Sequence, residues 1–266
     1  MKSSRDLIAE YSLTPNKALG QNFLIDASAI ERIVSAAAEP GLPVLEIGPG
    51  LGALTFPLAE AVKKLVCVEL DSALCGILER ELPVNASVIN ADFLKADIGK
   101  ISEELGGGEI VAAGNLPYYI TSDIAMKLVS SPVGIRRMVL MMQREAAARF
   151  TAQPGDRNYV PLTVLSRLRF RVSVLAELSP ASYFPQPEVS STVLVFDALG
   201  AKLPADLPRF LKAAFSMRRK TLINNLAALG YGKEETAAKL KSLGFDPSVR
   251  AEALSPEELL SLVEAL

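Results

Sequence analysis

The segment Val44-Leu45-Glu46-Ile47-Gly48-Pro49-Gly50-Leu51-Gly52 constrains the fold of this chain more than any other. A short apolar strand pattern runs into three glycines at alternate positions, and a helical pattern follows over residues 51–61. Lacking Cβ atoms, Gly48, Gly50 and Gly52 let the backbone turn sharply and let a ligand come close to it. Such a turn also occurs at purely structural strand-to-helix junctions. Its meaning depends on what surrounds it.

The surroundings are regular. Val44–Ile47 and residues 65–70, 87–90, 110–113 and 138–142 read as strands. Residues 51–61, Ser72–Glu81, 122–129 and 144–150 read as helices between or after them. This alternation predicts an α/β fold with a doubly wound, mostly parallel sheet. Two further β-rich runs, 162–178 and 191–196, are joined by the proline-bearing loop 179–187. With no helix between them they predict an antiparallel hairpin at the sheet edge. Past Gly200 strand signals stop. Pro204 and Pro208 introduce helical patterns over 209–229, 233–243 and 256–266. A domain boundary is therefore expected within 198–204, giving a ligand-binding domain over 1–200 and a small all-helical domain over 201–266.

Composition narrows the chemistry. The 266 residues suffice for one large domain plus a small appendage. No apolar run reaches about 18 residues, so no transmembrane helix is expected. Residues 1–10 lack the apolar stretch of a secretory signal, which points to the cytoplasm. Cys67 and Cys75 fall in a strand and the next helix and read as small buried hydrophobes. There is no histidine. That removes Ser-His-Asp and Cys-His mechanisms and most zinc chemistry, and no metal is expected.

The net charge of −2 conceals an asymmetry. Residues 134–220 hold 14 Lys and Arg against 6 Asp and Glu. A local basic face on a mildly acidic chain is compatible with a polyanion partner, although single arginines commonly serve solvated helix faces. In the run Met217-Arg218-Arg219-Lys220 the two readings are evenly matched.

In an open α/β sheet the ligand lies beyond the carboxyl ends of the strands. Glu69 ends the second strand, 19 residues after Gly50, where an acid can accept from two ribose hydroxyls. Its neighbour Asp71 is expected to cap the next helix. Asp92 follows the third strand, placed to accept from an adenine amine, and Asn115 follows the fourth. One acid after a strand is usually a cap; four strand ends in phase indicate a crevice. The spacing Gly-x-Gly-x-Gly, rather than Gly-x-Gly-x-x-Gly, together with Glu46 near the turn, favours S-adenosylmethionine over a nicotinamide dinucleotide. The segment Asn115-Leu116-Pro117-Tyr118 then suggests a methyltransferase acting on an amine conjugated to a ring. Asn115 Oδ1 and the Leu116 carbonyl could hold both N–H groups, Pro117 stiffens the turn, and Tyr118 offers a stacking face.

The segments Leu19-Gly20-Gln21-Asn22-Phe23-Leu24, Glu46 to Gly52, Asn115 to Tyr118, Gln143-Arg144-Glu145, Pro185-x-Pro187 and Phe215-x-x-Arg218-Arg219-Lys220-Thr221-Leu222 together resemble the rRNA adenine N6-dimethyltransferases. The likeness covers about residues 17 to 230 and is closer to the small-subunit (KsgA/RsmA-type) branch than to the Erm-type resistance enzymes. It implies a Rossmann-like class I methyltransferase sheet and dimethylation of two adjacent adenines near the 3′ end of small-subunit rRNA during ribosome biogenesis. The small ribosomal subunit would then be the partner of a monomeric enzyme. It further implies that Asn22 and Leu24 close over the cofactor. Gly48 and Gly50 would approach its methionine part, Glu69 its ribose and Asp92 its adenine. Asn115, Leu116 and Tyr118 would hold the target base, Tyr183 would supply a second stacking ring with Phe184 as competitor, and Arg144, Arg218, Arg219 and Lys220 would contact RNA. The chain departs from the family where Glu188 replaces a lysine, so this loop is a doubtful phosphate contact. Two rival readings are weighed against it: a non-catalytic RNA-binding factor, against which the full set Gly48, Glu69, Asp92 and Asn115 stands, and a methyltransferase of DNA adenine or protein glutamine, against which the segments 19–24 and 218–222 stand.

Overall fold

The computed structural model describes Ile8, Glu10, Tyr11, Pro15 and residues 20–266; Leu19 of the quoted N-terminal segment lies outside the described residues. The strands are β1 (Phe23–Leu24), β2 (Val44–Ile47), β3 (Leu65–Glu69), β4 (Ala86–Asn90), β5 (Ile110–Asn115), β6 (Ile135–Gln143), β7 (Phe170–Leu178), β8 (Tyr183–Phe184) and β9 (Ser191–Ala198). Seven of them form one sheet in the order β4-β3-β2-β5-β6-β9-β7. From β4 to β6 the pairing is parallel, and β9 runs antiparallel to β6 with Met138 opposite Phe196. The two β-rich runs are thus neighbours at the edge, as expected. A separate antiparallel pair sets Phe23 opposite Phe184 and Leu24 opposite Tyr183.

Every residue of β2 and β3 is buried, which is why these strands read as continuous apolar runs. Ile33, Leu58, Leu65, Val111, Val139 and Val193 belong to the cluster that covers the sheet. Each such side chain contributes roughly 1.5–3 kcal/mol by leaving water. From β2 the chain moves out to β3 and β4, then returns to β5 on the opposite side of β2. That reversal opens a crevice at the carboxyl ends of β2 and β5. Asp71 caps helix Ser72–Glu81 by accepting from Ala73 N and Leu74 N, as its position predicted. The helix after the glycine turn begins at Thr55, four residues later than expected, because turns occupy 50–54. Helices Ala27–Ala37 and Ile98–Glu104 were not anticipated; Asp26 and Asp97 cap them.

Three expectations need correction. First, residues 162–178 are not one β run, since Pro161–Arg169 is a helix and only Phe170–Leu178 is a strand. Pro161 sits at the first helical position, Thr163 Oγ1 accepts from Val160 N at 3.1 Å, and Arg167 and Arg169 stand at the carbonyl end. Second, 209–229 is two helices, Leu207–Ala214 and Leu222–Ala227. Third, the helical unit is larger than residues 201–266. The chain divides into one compact unit running up to Ala147 plus Ser173–Ala198, and another of Ala148–Val172 plus Leu199–Leu266. Within the second unit, Tyr159 donates its hydroxyl proton to Leu254 O at 2.9 Å and Gly155 N donates to Glu252 O at 2.7 Å. These long-range bonds have no sequence signature.

Candidate active site

The crevice holds about 1000 Å³ of space open to solvent, and residues at the ends of four strands, β2 to β5, and the segment 20–24 line it. Gly48, Gly50 and Gly52 have φ of 67°, 57° and 78°, values that favour glycine. At Gly52 a Cβ would lie 2.3 Å from the Phe56 ring, so the turn is closed to larger residues. Gly50 N donates to Glu69 Oε2 at 3.0 Å and Asp71 N donates to Glu69 Oε1 at 2.9 Å. The carboxylate that ends β3 is thereby aimed by the glycine turn itself. Each oxygen retains lone-pair capacity for a further donor. Glu69 is 8% exposed, and that burial raises its carboxyl above the usual range. Asn90 holds the same strand end, donating from Nδ2 to the carbonyls of Glu69 and Leu70 at 3.0 and 3.2 Å.

Glu46 lies on β2 at the crevice wall, 1% exposed. The Cys67 thiol donates to its Oε2 at 3.5 Å, and burial pushes the carboxyl up to about 7. Cys67 and Cys75 are free, buried thiols. Asp92 accepts from Leu94 N at 2.9 Å through Oδ1, while Oδ2 lies 3.5 Å from the exposed Lys95 ammonium. Phe93 beside it adds an apolar wall that the sequence reading missed.

The end of β5 brings the remaining groups together. Asn115 lines the crevice and its Nδ2 donates to Asn22 O at 3.0 Å, which leaves Oδ1 as the amide's acceptor. Leu116 is buried and anchored by its N–H to Met141 O at 2.9 Å. Pro117 O accepts from Thr121 Oγ1 at 2.9 Å, fixing the turn that carries Tyr118 into helix Thr121–Val129. The Tyr118 hydroxyl is 3.5 Å from Ser191 Oγ. Asn22 and Leu24 line the same space, and Gln21 Nε2 donates to Asp71 Oδ2 at 2.7 Å. Gln21 was quoted only as part of a motif; its tie to the end of β3 depends on the fold.

Other expected site residues fall elsewhere. Tyr183 is 1% exposed, packed in the core with its hydroxyl donating to Met141 Sδ at 2.9 Å, and it does not line the crevice. Its assignment as a stacking ring is corrected: adjacent strand residues face opposite sides, and here Phe184 points outward at 46% exposure. Arg144 is exposed on the first unit, away from the crevice lining. Arg218, Arg219 and Lys220 are exposed in the second unit, but on a turn rather than a helix, closed by Lys220 N donating to Met217 O at 2.9 Å. Arg218 donates to Arg157 O at 2.6 Å and Asp156 O at 3.2 Å, so much of its guanidinium is engaged structurally. Among the described residues no group of three or more thiols and carboxylates is placed to hold a metal, and no helix is long and apolar enough to cross a membrane.

A doubly wound sheet with a glycine turn at its switch point, an acid ending β3 and an Asn-Leu-Pro-Tyr turn ending β5 defines a Rossmann-like methyltransferase. The family model for ribosomal RNA adenine dimethylase matches residues 13–266. The chain belongs to that family. It is 41% identical over 258 residues to the ribosomal RNA small subunit methyltransferase A of Desulfitobacterium hafniense, covering 94% of this chain and 92% of the relative. The protein of the same name from Clostridium botulinum is 36% identical over 272 residues, covering 99% and 98%. A dimethyladenosine transferase from Plasmodium falciparum shares the fold with a TM-score of 0.74 at 24% identity, over 91% of this chain and 96% of that one. The 23S rRNA methyltransferase ErmE superposes with a TM-score of 0.69 at 28% identity, over 92% and 99%.

Proposed function

We propose that this chain uses S-adenosylmethionine to dimethylate the N6 amines of two adjacent adenines near the 3′ end of small-subunit rRNA, acting in the cytoplasm as a monomer on the assembling subunit. The observation that carries the reading is Asn115: its amide nitrogen donates to Asn22 O, its oxygen is left as an acceptor, and the residue lines the crevice next to Leu116. The names of the relatives, matched over nearly their whole length, support the RNA.

The crevice fits the cofactor. Gly48 and Gly50 leave room for its methionine part, Glu69 and Asp92 offer acceptors for ribose and adenine, and Glu46 puts a carboxyl near the positive centre. Bound there, S-adenosylmethionine supplies an activated methyl group on a good leaving group. Asn115 Oδ1 and Leu116 O accept the two N–H bonds of the target amine and draw its lone pair out of conjugation. No strong base is required, because alignment sets the rate and water can take the proton. Tyr118 presents a ring face to the flipped base, and the exposed Phe184 is the better candidate for a second face than Tyr183. Arg219 and Lys220 are the leading phosphate contacts, with Arg144 a further one.

The test is transfer of labelled methyl groups to undermethylated small subunits, followed by nucleoside analysis. Dimethyladenosine in small-subunit RNA supports the proposal; label only in large-subunit RNA, or none, overturns it.

A further inference from the structure

Lys127 lies on helix Thr121–Val129, which begins directly after the Asn115–Tyr118 turn. Its ammonium donates to three carbonyls of one turn: Phe93 O at 2.8 Å, Leu94 O at 2.8 Å and Ala96 O at 2.5 Å. An ammonium has three protons, and all are used. The turn is further closed by Lys95 N and Ala96 N donating to Asp92 O at 2.9 and 3.0 Å, and by Leu94 N donating to Asp92 Oδ1. Lys127 Nζ also sits 5.4 Å from the centre of the Phe93 ring, within cation–π range. Desolvation lowers its pKa, while the Asp92 and Asp97 carboxylates act against that and favour the charged form.

Asp92 and Phe93 line the crevice and Lys127 does not. The lysine therefore acts on a ligand only through the wall it holds. Without it three converging carbonyls lose their shared donor, and the turn whose Leu94 N–H aims the Asp92 carboxylate loses that support. Its helix joins the amine-holding turn to this wall, so one rigid element supports both.

We propose that Lys127 is a positioning residue for cofactor selection: it fixes Asp92 and Phe93 so that the crevice prefers a purine bearing an exocyclic amine over one bearing a carbonyl at that position. The inference rests on reading the crevice as the S-adenosylmethionine site. Asp92 accepts from an amine but repels a carbonyl, and only a carboxylate held in direction makes that distinction.

Calorimetric titration of the full chain with S-adenosylhomocysteine and with S-inosylhomocysteine tests it. Wild type should prefer the adenine compound by about tenfold or more, the scale of one unmatched hydrogen-bonding group. Lys127→Met, verified as folded by circular dichroism and melting, should bring the two affinities within about threefold. A folded Lys127→Met that weakens both compounds equally, leaving the wild-type ratio, overturns the inference while leaving the cofactor site intact. Where Lys127→Met does not fold, Lys127→Arg decides: three converging carbonyls do not match a planar fork. A reduced preference supports the proposal and an unchanged one overturns it. Wild type binding neither compound removes the cofactor reading, and this inference with it.

Discussion

Glu46 shows how one buried side chain can set a pH dependence in a protein without histidine. Burial pushes its carboxyl up to about 7 in the folded chain from an ordinary value of 4.5. The folded state thus holds this proton more tightly than the unfolded one. The stability it contributes is full below pH 4.5 and is lost as pH rises to about 7. Relative to Glu46→Gln, wild type should lose about 2–3 kcal/mol between pH 5 and pH 8, the yield of a shift of that size. Urea denaturation of both proteins without ligand measures it, and parallel pH profiles would place the proton elsewhere. Asn115 is the second residue with a separable outcome. Asn115→Ala should lower kcat roughly a hundredfold, as loss of a preorganised polar partner does. It also loses the bond to Asn22, so affinity for S-adenosylhomocysteine should fall by less than about tenfold, the reach of one neutral hydrogen bond. A larger loss in binding than in turnover would make Asn115 a cofactor ligand first.

Among the elements, the turn 215–221 depends on one buried amide. Asn225, 2% exposed, donates from Nδ2 to Ala214 O at 2.7 Å and Met217 O at 3.2 Å. These two bonds stop helix Leu207–Ala214 and hold the strand-free segment that displays the basic run. Asn225→Leu should destabilise the protein by about 1–3 kcal/mol, the cost of buried carbonyls left without donors. Denaturation reads the loss, and faster amide exchange confined to 215–221 identifies its place. Stability within experimental error of wild type would mean that the turn holds itself. The same turn explains why the sequence suggested one helix over 209–229: its residues continue the helical pattern, and the interruption comes from an amide ten residues further on. The helix at 161–169 was hidden for a different reason. Leu162, Leu165 and Leu168 carry helical spacing, but they run without a break into the alternating Arg171-Val172-Ser173-Val174 of β7. Proline at the first position was the available signal.

For the whole molecule, the separate basic run predicts how RNA affinity responds to salt. Arg219→Ala with Lys220→Ala should weaken binding to small subunits and reduce the slope of log affinity against log salt by about two, one for each phosphate contact. Filter binding across a potassium chloride series measures it. An unchanged slope would mark both side chains as solvated surface. Arg218→Ala should instead act on stability, because its guanidinium holds the carbonyls of Arg157 and Asp156.

The five parallel strands up to residue 143 and most of the helices between them, the glycine turn, the strand-end positions of Glu69, Asp92 and Asn115, and the family itself were legible in the sequence; helices Ala27–Ala37 and Ile98–Glu104 were not. Each is written in local periodicity or in spacing along the chain, and parallel strands buried on both faces leave continuous apolar runs. Tertiary structure alone decided that Tyr183 is core and Phe184 surface, since the pairing of β8 with β1 sets which face each occupies. It also decided that residues 148–172 pack with the C-terminal helices, through the bonds of Tyr159 and Gly155 to residues about a hundred positions away. Lys127 belongs with these: a lysine on a helix carries no mark of use until folding brings three carbonyls to its ammonium.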